Sequence, residues 1–451
     1  MSKMFKILIF ISLFISIIES HNVALILTDD LTYQFANNEV VMPNFNRISK
    51  EKGVTNFVNA QANACICSPS RASLLTGKYP SVTQVLSNKN NQNYPELNFI
   101  MDIVKSHNFT RISAGKVLHT SFTEKLDVNN RLWDYYIKNL NQKFETRSKD
   151  SCDISSLPFI NPENRGCRRI PNRFENQMVL EKDFNDFVST LKNHNKFFAS
   201  FGIRPPHAPY NIPKKYWKNT KNQINTNKID LILSLTEREK FLFRLDGPIF
   251  KFVNNNDSVR KNFMNGYVAA VNYADHYIGK TWDHLIKNYG NDTMIIITSD
   301  QGFHIGNRNS FGKSTLFNET LRIPLLIYYP ETKNKIQETK ASLVDLFPTI
   351  LEFMDIEHPT NGRYPKSSMS LKKYLFSEIE DERTTFAECE TVGQVTRSAY
   401  TKNFSLITYF DENQTTIKDL YNISKDKLQR KRLNKSRITQ NLYNKIRNEF
   451  D

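Results

Sequence analysis

The sequence predicts an α/β fold in which a mostly parallel β-sheet is flanked by helices, with a smaller C-terminal α+β subdomain. Continuous apolar runs have the length and composition of buried strands: Val23 to Leu27, Phe197 to Ile203, Met294 to Thr298 and Leu325 to Tyr329. Helical patterns separate them: Pro43 to Lys52, Ser70 to Thr76, Leu97 to His107, Gln177 to Asn193 and Lys261 to Asn288. Strands that alternate with helices build a parallel sheet covered on both faces.

The N-terminal residues 1–20 are predicted to be a signal peptide. Lys3 and Lys6 precede an apolar run from Ile7 to Ile18, and Ser20 is an acceptable cleavage position. The run is short for a membrane span, although an uncleaved anchor is the alternative. No later stretch approaches transmembrane length, so no stable membrane insertion is expected. We therefore expect a chain that is secreted or resides in the lysosomal or endomembrane lumen.

Two domains are expected after the signal peptide, a large one over residues 21–361 and a C-terminal subdomain over 362–451. From about Gly362 the pattern changes to shorter strand-like runs, within Thr384 to Phe410 and at Ile417 to Leu420. Lys425 to Arg437 is rich in Lys and Arg, which is more typical of a solvated helix face than of a binding patch.

The chain has 451 residues and a formal net charge of +15, which favours anionic partners. These include nucleic acid, anionic membranes and sulfated or phosphorylated substrates, and secretion makes nucleic acid the least suitable. A Lys- and Asn-rich composition without functional meaning is the alternative. Eight N-x-S/T sequons are candidate glycan sites: Asn108, Asn256, Asn291, Asn318, Asn403, Asn413, Asn422 and Asn434.

Five cysteines are present, and an odd number in a secreted chain indicates one thiol with a separate fate. Cys152 and Cys167 enclose a short polar loop and are suitable disulfide partners. Cys65 and Cys389 remain as a second pair, for which the sequence gives no further support. This leaves Cys67.

Acidic and amide side chains follow two of the predicted strands. Asp29 and Asp30 come after the first run, and Asp300 and Gln301 come after the third. Ligands of such sheets bind at the carboxyl ends of the strands, so both segments point to one site. Oxygen ligands suit a hard cation such as calcium, which would also offset the repulsion between adjacent carboxylates. A turn of solvated acids is the alternative.

The segment Cys67-Ser68-Pro69-Ser70-Arg71, followed by Leu75-Thr76-Gly77, resembles the C-x-P-S-R signature of the sulfatase family. The resemblance implies an alkaline-phosphatase-like mixed sheet with a catalytic domain over residues 21–361. It also implies that a formylglycine-generating enzyme oxidises Cys67 to formylglycine during secretion. One hydroxyl of the aldehyde hydrate attacks sulfur, and the other allows sulfate to be expelled. Asp29, Asp30, Asp300 and Gln301, with modified Cys67, become the ligands of one calcium ion, although Gln301 stands where many members have Asn or His.

Three shorter segments extend the resemblance: Gly115 to His119 (G-K-V-L-H), Pro205 to Pro209 (P-P-H-A-P) and Phe311 to Lys313 (F-G-K). By resemblance, Arg71 and Lys116 stabilise the hydrate and nearby oxygens. His119 orients one hydroxyl and takes its proton. His207 and Lys313 bind sulfate, and one of them protonates the leaving oxygen. His304 lies close to the second acidic segment and is left without a role.

Within the family, the G-K-V-x-H form, the P-H-x-P loop and the loop between Cys152 and Cys167 are similar to those of iduronate-2-sulfatase-like members. The implied substrate is a sulfated carbohydrate, such as a terminal 2-sulfated iduronate of glycosaminoglycans. Two alternatives stay open. One is a phosphate or phosphonate ester hydrolase of the same superfamily, and the other is a catalytically silent carbohydrate-binding relative.

Overall fold

The computed structural model describes residues 21–88, 96–119, 131–138, 167–172, 175, 178–220, 223, 257–307, 311–391, 393–410 and 415–451. The predicted signal peptide and Cys152 lie outside these residues, as does the side chain of Cys167, so both predictions stay predictions. Among the described residues, no helix combines the length and apolar character that a membrane crossing requires.

An eight-stranded sheet forms the centre of the fold, in the order β13-β2-β12-β9-β1-β7-β4-β5. Its strands are β1 (Asn22–Asp29), β2 (Val54–Phe57), β4 (Thr110–Gly115), β5 (Tyr135–Ile137), β7 (Phe197–Pro206), β9 (Thr293–Ser299), β12 (Leu325–Tyr328) and β13 (Lys335–Gln337). The pairs β1–β7, β1–β9, β4–β7, β4–β5 and β2–β13 are parallel. The sheet is therefore mixed but mostly parallel, as predicted.

Strand β12 is the exception, because it runs antiparallel to both β2 and β9. Its apolar run correctly predicted a buried strand. A continuous apolar run specifies burial on both faces but carries no information about direction, so the sequence could not give the orientation.

Eleven described helices accompany the strands: α1 (Pro43–Ile48), α2 (Cys67–Thr76), α3 (Pro80–Thr83), α4 (Ile100–Ser106), α5 (Val179–Leu191), α6 (Lys214–Asn219), α7 (Asp257–Tyr289), α8 (Asn318–Leu321), α9 (Leu346–Phe353), α10 (Lys372–Phe376) and α11 (Ser436–Phe450). Turns of 3₁₀ helix occur at Tyr33–Phe35 and Leu343–Asp345. All five predicted helices occur, with ends that differ by a few residues, as is usual for frayed termini.

Side chains from the two faces of the sheet pack into two separate core layers. Leu25 and Leu27 of β1 pack in the layer that contains α2 and α9, whereas Ala24 and Ile26 pack in the layer under α7. Successive side chains of a strand point to opposite faces, so a strand covered on both sides is apolar throughout. This explains the uninterrupted apolar runs.

The C-terminal part contains a five-stranded antiparallel sheet in the order β15-β16-β17-β18-β19. Its strands are β15 (Thr385–Thr391), β16 (Gln394–Tyr400), β17 (Phe404–Phe410), β18 (Thr416–Asn422) and β19 (Arg432–Leu433). Helix α11 packs on it through Leu442, Ile446 and Phe450. The domain boundary at residue 361 stays a prediction.

The expectation that residues 425–437 form one helix face was wrong. The segment forms turns, the short strand β19 and only the start of α11. Its charges repeat too densely to leave an apolar stripe at helical spacing, and such a stripe is what holds a helix on a protein surface.

Short two-stranded sheets complete the fold: β10 (His304–Ile305) with β11 (Phe311–Gly312), β3 (Ala60–Gln61) with β14 (Ala341–Ser342), and β6 (Cys167–Ile170) with β8 (Tyr210–Pro213). A disulfide joins Cys65 to Cys389 of β15 across 324 residues of sequence. It ties the segment before α2 to the C-terminal sheet. The pairing of Cys65 with Cys389, for which the sequence alone offered no further support, is therefore present in the structure.

Candidate active site

Four adjacent strands end at one place, and each supplies a polar side chain there. Asp29 is the last residue of β1, Asp300 directly follows β9, Lys116 directly follows β4, and His207 directly follows β7. Since β9, β1, β7 and β4 are neighbours in this order, residues far apart in sequence meet at one edge of the sheet. This is the edge where ligands of parallel sheets bind.

Glycine allows the ends of β4 and β7 to approach closely. Gly115 has φ of +68°, and a Cβ built on it would lie 2.1 Å from the carbonyl oxygen of Gly202. The amide of Lys116 donates a hydrogen bond of 3.1 Å to the same oxygen. A side chain at position 115 would displace the backbone that positions Lys116.

Helix α2 begins at Cys67 and is buried over its whole length. Ser70 Oγ donates to the carbonyl oxygen of Asp300 at 2.5 Å. Arg71 donates to Asp300 Oδ2 at 2.7 Å and to Asp29 Oδ1 at 3.1 Å. Arg71 thus binds the carboxylates from two neighbouring strands and fixes α2 against both.

The Cys67 sulfur lies among cations and carboxylates. Lys313 Nζ is 2.8 Å from Sγ and Lys116 Nζ is 3.8 Å from it. Asp29 Oδ1 lies at 3.3 Å and Asp30 Oδ1 at 3.9 Å. Cys67 is fully buried and is the free cysteine among the described residues.

The three aspartates form a compact oxygen cluster. Oxygen atoms offered by Asp29, Asp30 and Asp300 all lie within 4.8 Å of one another. Gln301 Nε2 donates to Asp30 Oδ1 and lies 3.4 Å from Cys67 Sγ. Its Oε1 atom is buried and has no hydrogen-bond partner among the described residues. An unpartnered buried oxygen beside three carboxylates fits a hard cation, toward which a half-turn of the amide would direct that oxygen.

The pKa shifts of two aspartates reflect the balance of positive and negative charge around this cluster. Burial opposes the ionisation of Asp29, but Lys116, His207 and Arg71 outweigh it and hold the pKa of Asp29 well below its usual value. Burial, together with repulsion from Asp29 and Asp30, raises the pKa of Asp300 to about 6, against the opposing effect of Arg71. A bound cation would relieve that repulsion.

Cys67 is a poor nucleophile as a thiol. Burial, followed by the nearby charge of Asp29, raises its pKa to about 12, against the opposing effect of Lys116 and Lys313. The thiolate is the reactive form of cysteine, and it is scarce at neutral pH when the pKa is this high. The site is therefore unlike that of a cysteine hydrolase.

Two of the three histidines near the predicted motifs bear directly on the site. His207 Nε2 lies 3.9 Å from Asp30 Oδ2, and burial lowers the pKa of His207 to about 4. His119 is half-buried, and burial with the charges of Lys116 and Arg71 lowers its pKa to about 3. His304, left without a role, is buried and contacts Thr315 Oγ1 at 2.8 Å through Nε2.

Sequence reasoning missed residues that hold the acidic segments from behind. Tyr267 in α7 donates to the carbonyl oxygen of Asp30 at 2.6 Å and accepts from the amide of Thr32 at 3.2 Å. Ser299 Oγ accepts from the amide of Leu31 at 3.0 Å. Tyr267 belongs to no motif, and its contact with Asp30 arises only from the packing of α7 against the acidic segment. Asp30 itself has φ of +67°, a conformation that aspartate tolerates better than most residues.

Solved structures support the class of fold. A phosphonate monoester hydrolase from Silicibacter pomeroyi aligns with a TM-score of 0.71, 17% identity and 96% coverage of each chain. A structure described as a complex with its substrate D-glucosamine-2-N,6-O-disulfate aligns with a TM-score of 0.68, 18% identity, and coverage of 95% of this chain and 97% of the other. The predicted alkaline-phosphatase-like α/β class is thereby confirmed.

Two family models then identify the family. One described as "Sulfatase" matches residues 21–356, and one described as "N-sulphoglucosamine sulphohydrolase, C-terminal" matches residues 306–451. Since the first covers well over half of the sequence, the chain belongs to the sulfatase family of sulfuric ester hydrolases.

Curated relatives are distant. A sulfatase of Formosa agariphila is 23% identical over 87% of this chain and 80% of its own length. Mouse arylsulfatase K is 26% identical over 76% of this chain, and human iduronate 2-sulfatase is 23% identical over 80%. The alignments span 62% of arylsulfatase K and 75% of iduronate 2-sulfatase.

Proposed function

We propose that this chain hydrolyses sulfate esters of a sulfated carbohydrate at the cluster around Cys67. The observation that carries the proposal is the convergence of Arg71, Lys116 and Lys313 on the Cys67 sulfur and the aspartates. A sulfate ester is an anion, so a site that attacks it must neutralise its oxygens before an oxygen nucleophile can approach. Fixed cations beside the attacking atom do this.

Asp29, Asp30, Asp300 and Gln301 would hold one calcium ion. Bound there, it would supply Lewis-acid polarisation and charge neutralisation of the sulfate oxygens. Arg71 binds Asp29 and Asp300 from the side of α2, which keeps both carboxylates in place. Lys116 binds Asp29 Oδ2 at 2.5 Å from the side of β4.

Conversion of Cys67 to formylglycine would supply a hydrated aldehyde with two hydroxyl groups on one carbon. Lys313 and Lys116 are placed to hold these hydroxyls, since both ammonium groups lie near the present sulfur. His119 takes a proton from one hydroxyl. His207 and Lys313 bind the sulfate, and one of them protonates the leaving oxygen.

The carbohydrate is proposed to be a terminal 2-sulfated iduronate of a glycosaminoglycan. Support comes from the similarity to human iduronate 2-sulfatase and from the segments Gly115 to His119 and Pro205 to Pro209. The signal peptide, the secreted or lysosomal location, and modification by a formylglycine-generating enzyme belong to the same proposal.

Mass spectrometry of the Cys67 peptide from secreted protein tests the nucleophile. We expect formylglycine at position 67, with hydrolysis of an aryl sulfate that Cys67→Ala abolishes. Lys105→Gln, at an exposed residue of α4, serves as a control for a general effect of substitution. An unmodified thiol in fully active protein would contradict the mechanism.

Parallel assays on aryl phosphate and phosphonate esters test the superfamily alternative. Sulfate esters should be preferred by a large factor in kcat/KM, and preference for a phosphonate would support the alternative instead. Properly formylglycine-bearing protein with no esterase activity would indicate the silent carbohydrate-binding relative. A panel of sulfated uronate and hexosamine disaccharides then identifies the sugar.

A further inference from the structure

Residues 424–437 form a strongly basic surface, which we call the basic loop. It contains one acid, Asp426, and seven cations: Lys425, Lys427, Arg430, Lys431, Arg432, Lys435 and Arg437. All seven cationic residues are exposed. The segment runs from the end of β18 through β19 to the start of α11, so its charges lie along an extended path.

Three lysines of the basic loop form no ion pair through their ammonium groups with a described carboxylate, although Asp426 Oδ2 accepts from the backbone amide of Lys431 at 2.8 Å. Within the described part of the chain, no carboxylate reaches ion-pair distance of Lys425, Lys427 or Lys431. By contrast, Arg432 lies 3.6 Å from Asp419. Neighbouring like charges repel one another, so an anionic partner with several charges would be attracted to this segment.

The basic loop also contacts the support of the active site. The Asn318 amide, at the start of α8, donates to Gln429 Oε1 at 2.8 Å, and Asn318 Nδ2 donates to the Lys427 carbonyl oxygen at 3.1 Å. At the other end of α8, the Thr320 carbonyl accepts from the Gly302 amide at 2.6 Å, next to Gln301. One four-residue helix therefore separates the basic loop from the acidic segment.

The distance along the chain to Lys313 is also short. Asn318 lies five positions after Lys313, and the two Cα atoms can be at most about 18 Å apart. A polymer whose reacting sulfate lies beside Lys313 would thus have to extend only a few sugar units to reach the basic loop. Lysine suits such contacts, because its flexible point charge needs no fixed geometry at each sulfate.

We infer that the basic loop binds a polysulfated carbohydrate chain whose reacting sulfate ester occupies the active site. This inference rests on the proposed function and adds a second contact region for the same substrate. Exposed charges of this kind raise the association rate and weaken with salt, since they act without desolvation.

Binding of a highly sulfated glycosaminoglycan chain tests the inference. It is measured over a range of salt concentrations in the Cys67→Ala background, so that turnover plays no part. The variant Lys425→Gln/Lys427→Gln/Lys431→Gln should bind at least tenfold more weakly. Each lost lysine–anion contact should lower the slope of log affinity against log salt by about one, by the counterion-release argument used for nucleic acids.

A matched control removes the same charge on the opposite side of the protein, near the amino ends of the strands. Lys105, Lys192 and Lys287 are exposed and lie near the carboxyl ends of α4, α5 and α7. Their triple Gln variant should keep affinity within about twofold. Equal losses in both variants, or no loss in the basic-loop variant, would overturn the inference.

The nature of the partner is tested with two further polyanions. A desulfated chain should bind at least tenfold more weakly. DNA at equal charge concentration should compete poorly, because it can contact the basic loop but places no sulfate ester in the active site. Equal binding of DNA would indicate a general polyanion surface and contradict the inference. If the triple variant unfolds, the three single variants replace it, each expected to lose about two- to threefold in affinity.

Failure of this inference can be separated from failure of the proposed function. Binding in the Cys67→Ala background does not require formylglycine or sulfate release. In the active enzyme, the ratio of kcat/KM for the chain to kcat/KM for a monomeric aryl sulfate should fall in the basic-loop variant. Protein that binds the chain through these lysines but catalyses no sulfate release would contradict the proposed function and leave this inference in place.

Discussion

Gln301 offers the most direct residue-scale test of the cation site. Its buried Oε1 has no hydrogen-bond partner within the described residues, and its amide already contacts Asp30. Gln301→Leu removes that oxygen and should weaken calcium binding by at least about tenfold, because the ion loses one hard ligand. The measurement is isothermal titration of metal-free protein.

Gln301→Glu is the matched variant for this test. It keeps an oxygen in the same place and should retain calcium binding. If Gln301→Leu bound calcium as tightly as the unaltered protein, position 301 would not be a ligand.

Asp275 gives a residue-scale prediction about pH and stability. Its carboxylate accepts hydrogen bonds of 2.8 Å from the amides of Asn44 and Phe45, and so caps α1 from α7. Burial raises the pKa of Asp275 to about 6, although these hydrogen bonds oppose the shift. A folded-state pKa above the unfolded value favours folding at low pH, and that contribution is lost as pH rises through about 6.

The comparison is with Asp275→Asn, which cannot titrate. Between pH 4 and pH 7, the unaltered protein should lose up to about 3 kcal/mol of unfolding free energy relative to Asp275→Asn. Denaturant unfolding across this range measures it. A difference that is constant with pH would show that Asp275 does not titrate there.

At the scale of elements, the Cys65–Cys389 disulfide links two structures that carry the site. Cys65 precedes α2, and its carbonyl oxygen accepts from the Ser314 amide at 3.0 Å, next to Lys313. The disulfide therefore supports both the helix that begins at Cys67 and the loop that carries Lys313. Replacing both cysteines by alanine should reduce stability by about 2–5 kcal/mol, since the closed loop is long.

The double replacement should also lower kcat for an aryl sulfate, because the two active-site segments lose a common anchor. Thermal unfolding and steady-state kinetics check the two effects. Cys65→Ala alone would leave a free thiol at Cys389 and is the less informative variant. Unchanged stability in the double variant would indicate that the bond contributes nothing to the fold.

The secondary-structure elements show which features of the fold could be predicted from the sequence and which could not. Buried strands were predictable because a short, continuous apolar run such as Val23 to Leu27 is typical of a strand covered on both faces. The acidic residues at two strand ends followed from the same logic. The neighbours of each strand were not predictable, because β1 pairs with β7 and β9, whose residues lie more than 170 positions away.

The same limit applies to the residues behind the site. Tyr267 binds the Asp30 backbone from a helix of 33 residues in which nothing local distinguishes it from Tyr273 or Tyr277. Only tertiary packing selects one tyrosine over another. The orientation of β12 was missed for the same reason, because only its packing between β2 and β9 sets its direction.

For the whole molecule, the fold predicts which sequons can carry glycans. Asn108, Asn291 and Asn403 are exposed, whereas Asn318 uses both its backbone and side-chain amides in hydrogen bonds to the basic loop. Glycopeptide analysis of protein secreted from eukaryotic cells should find glycans at exposed sites and none at Asn318.

Asn318→Gln provides the control, since it should leave the glycan content unchanged while Asn108→Gln and Asn291→Gln each remove mass. A glycan at Asn318 in folded, active protein would contradict the packing of α8 against the basic loop.

The disulfide between Cys65 and Cys389 also sets an order of events during biosynthesis. It cannot close until ribosomes have delivered residue 389, which is 322 positions after Cys67. At roughly 5–20 residues per second, Cys67 emerges roughly 15–65 s before its anchor is available. The fully buried position that Cys67 reaches in the finished protein is thus preceded by a period in which the segment is not yet tied down. Any enzyme that acts on Cys67 has that interval in which to reach it.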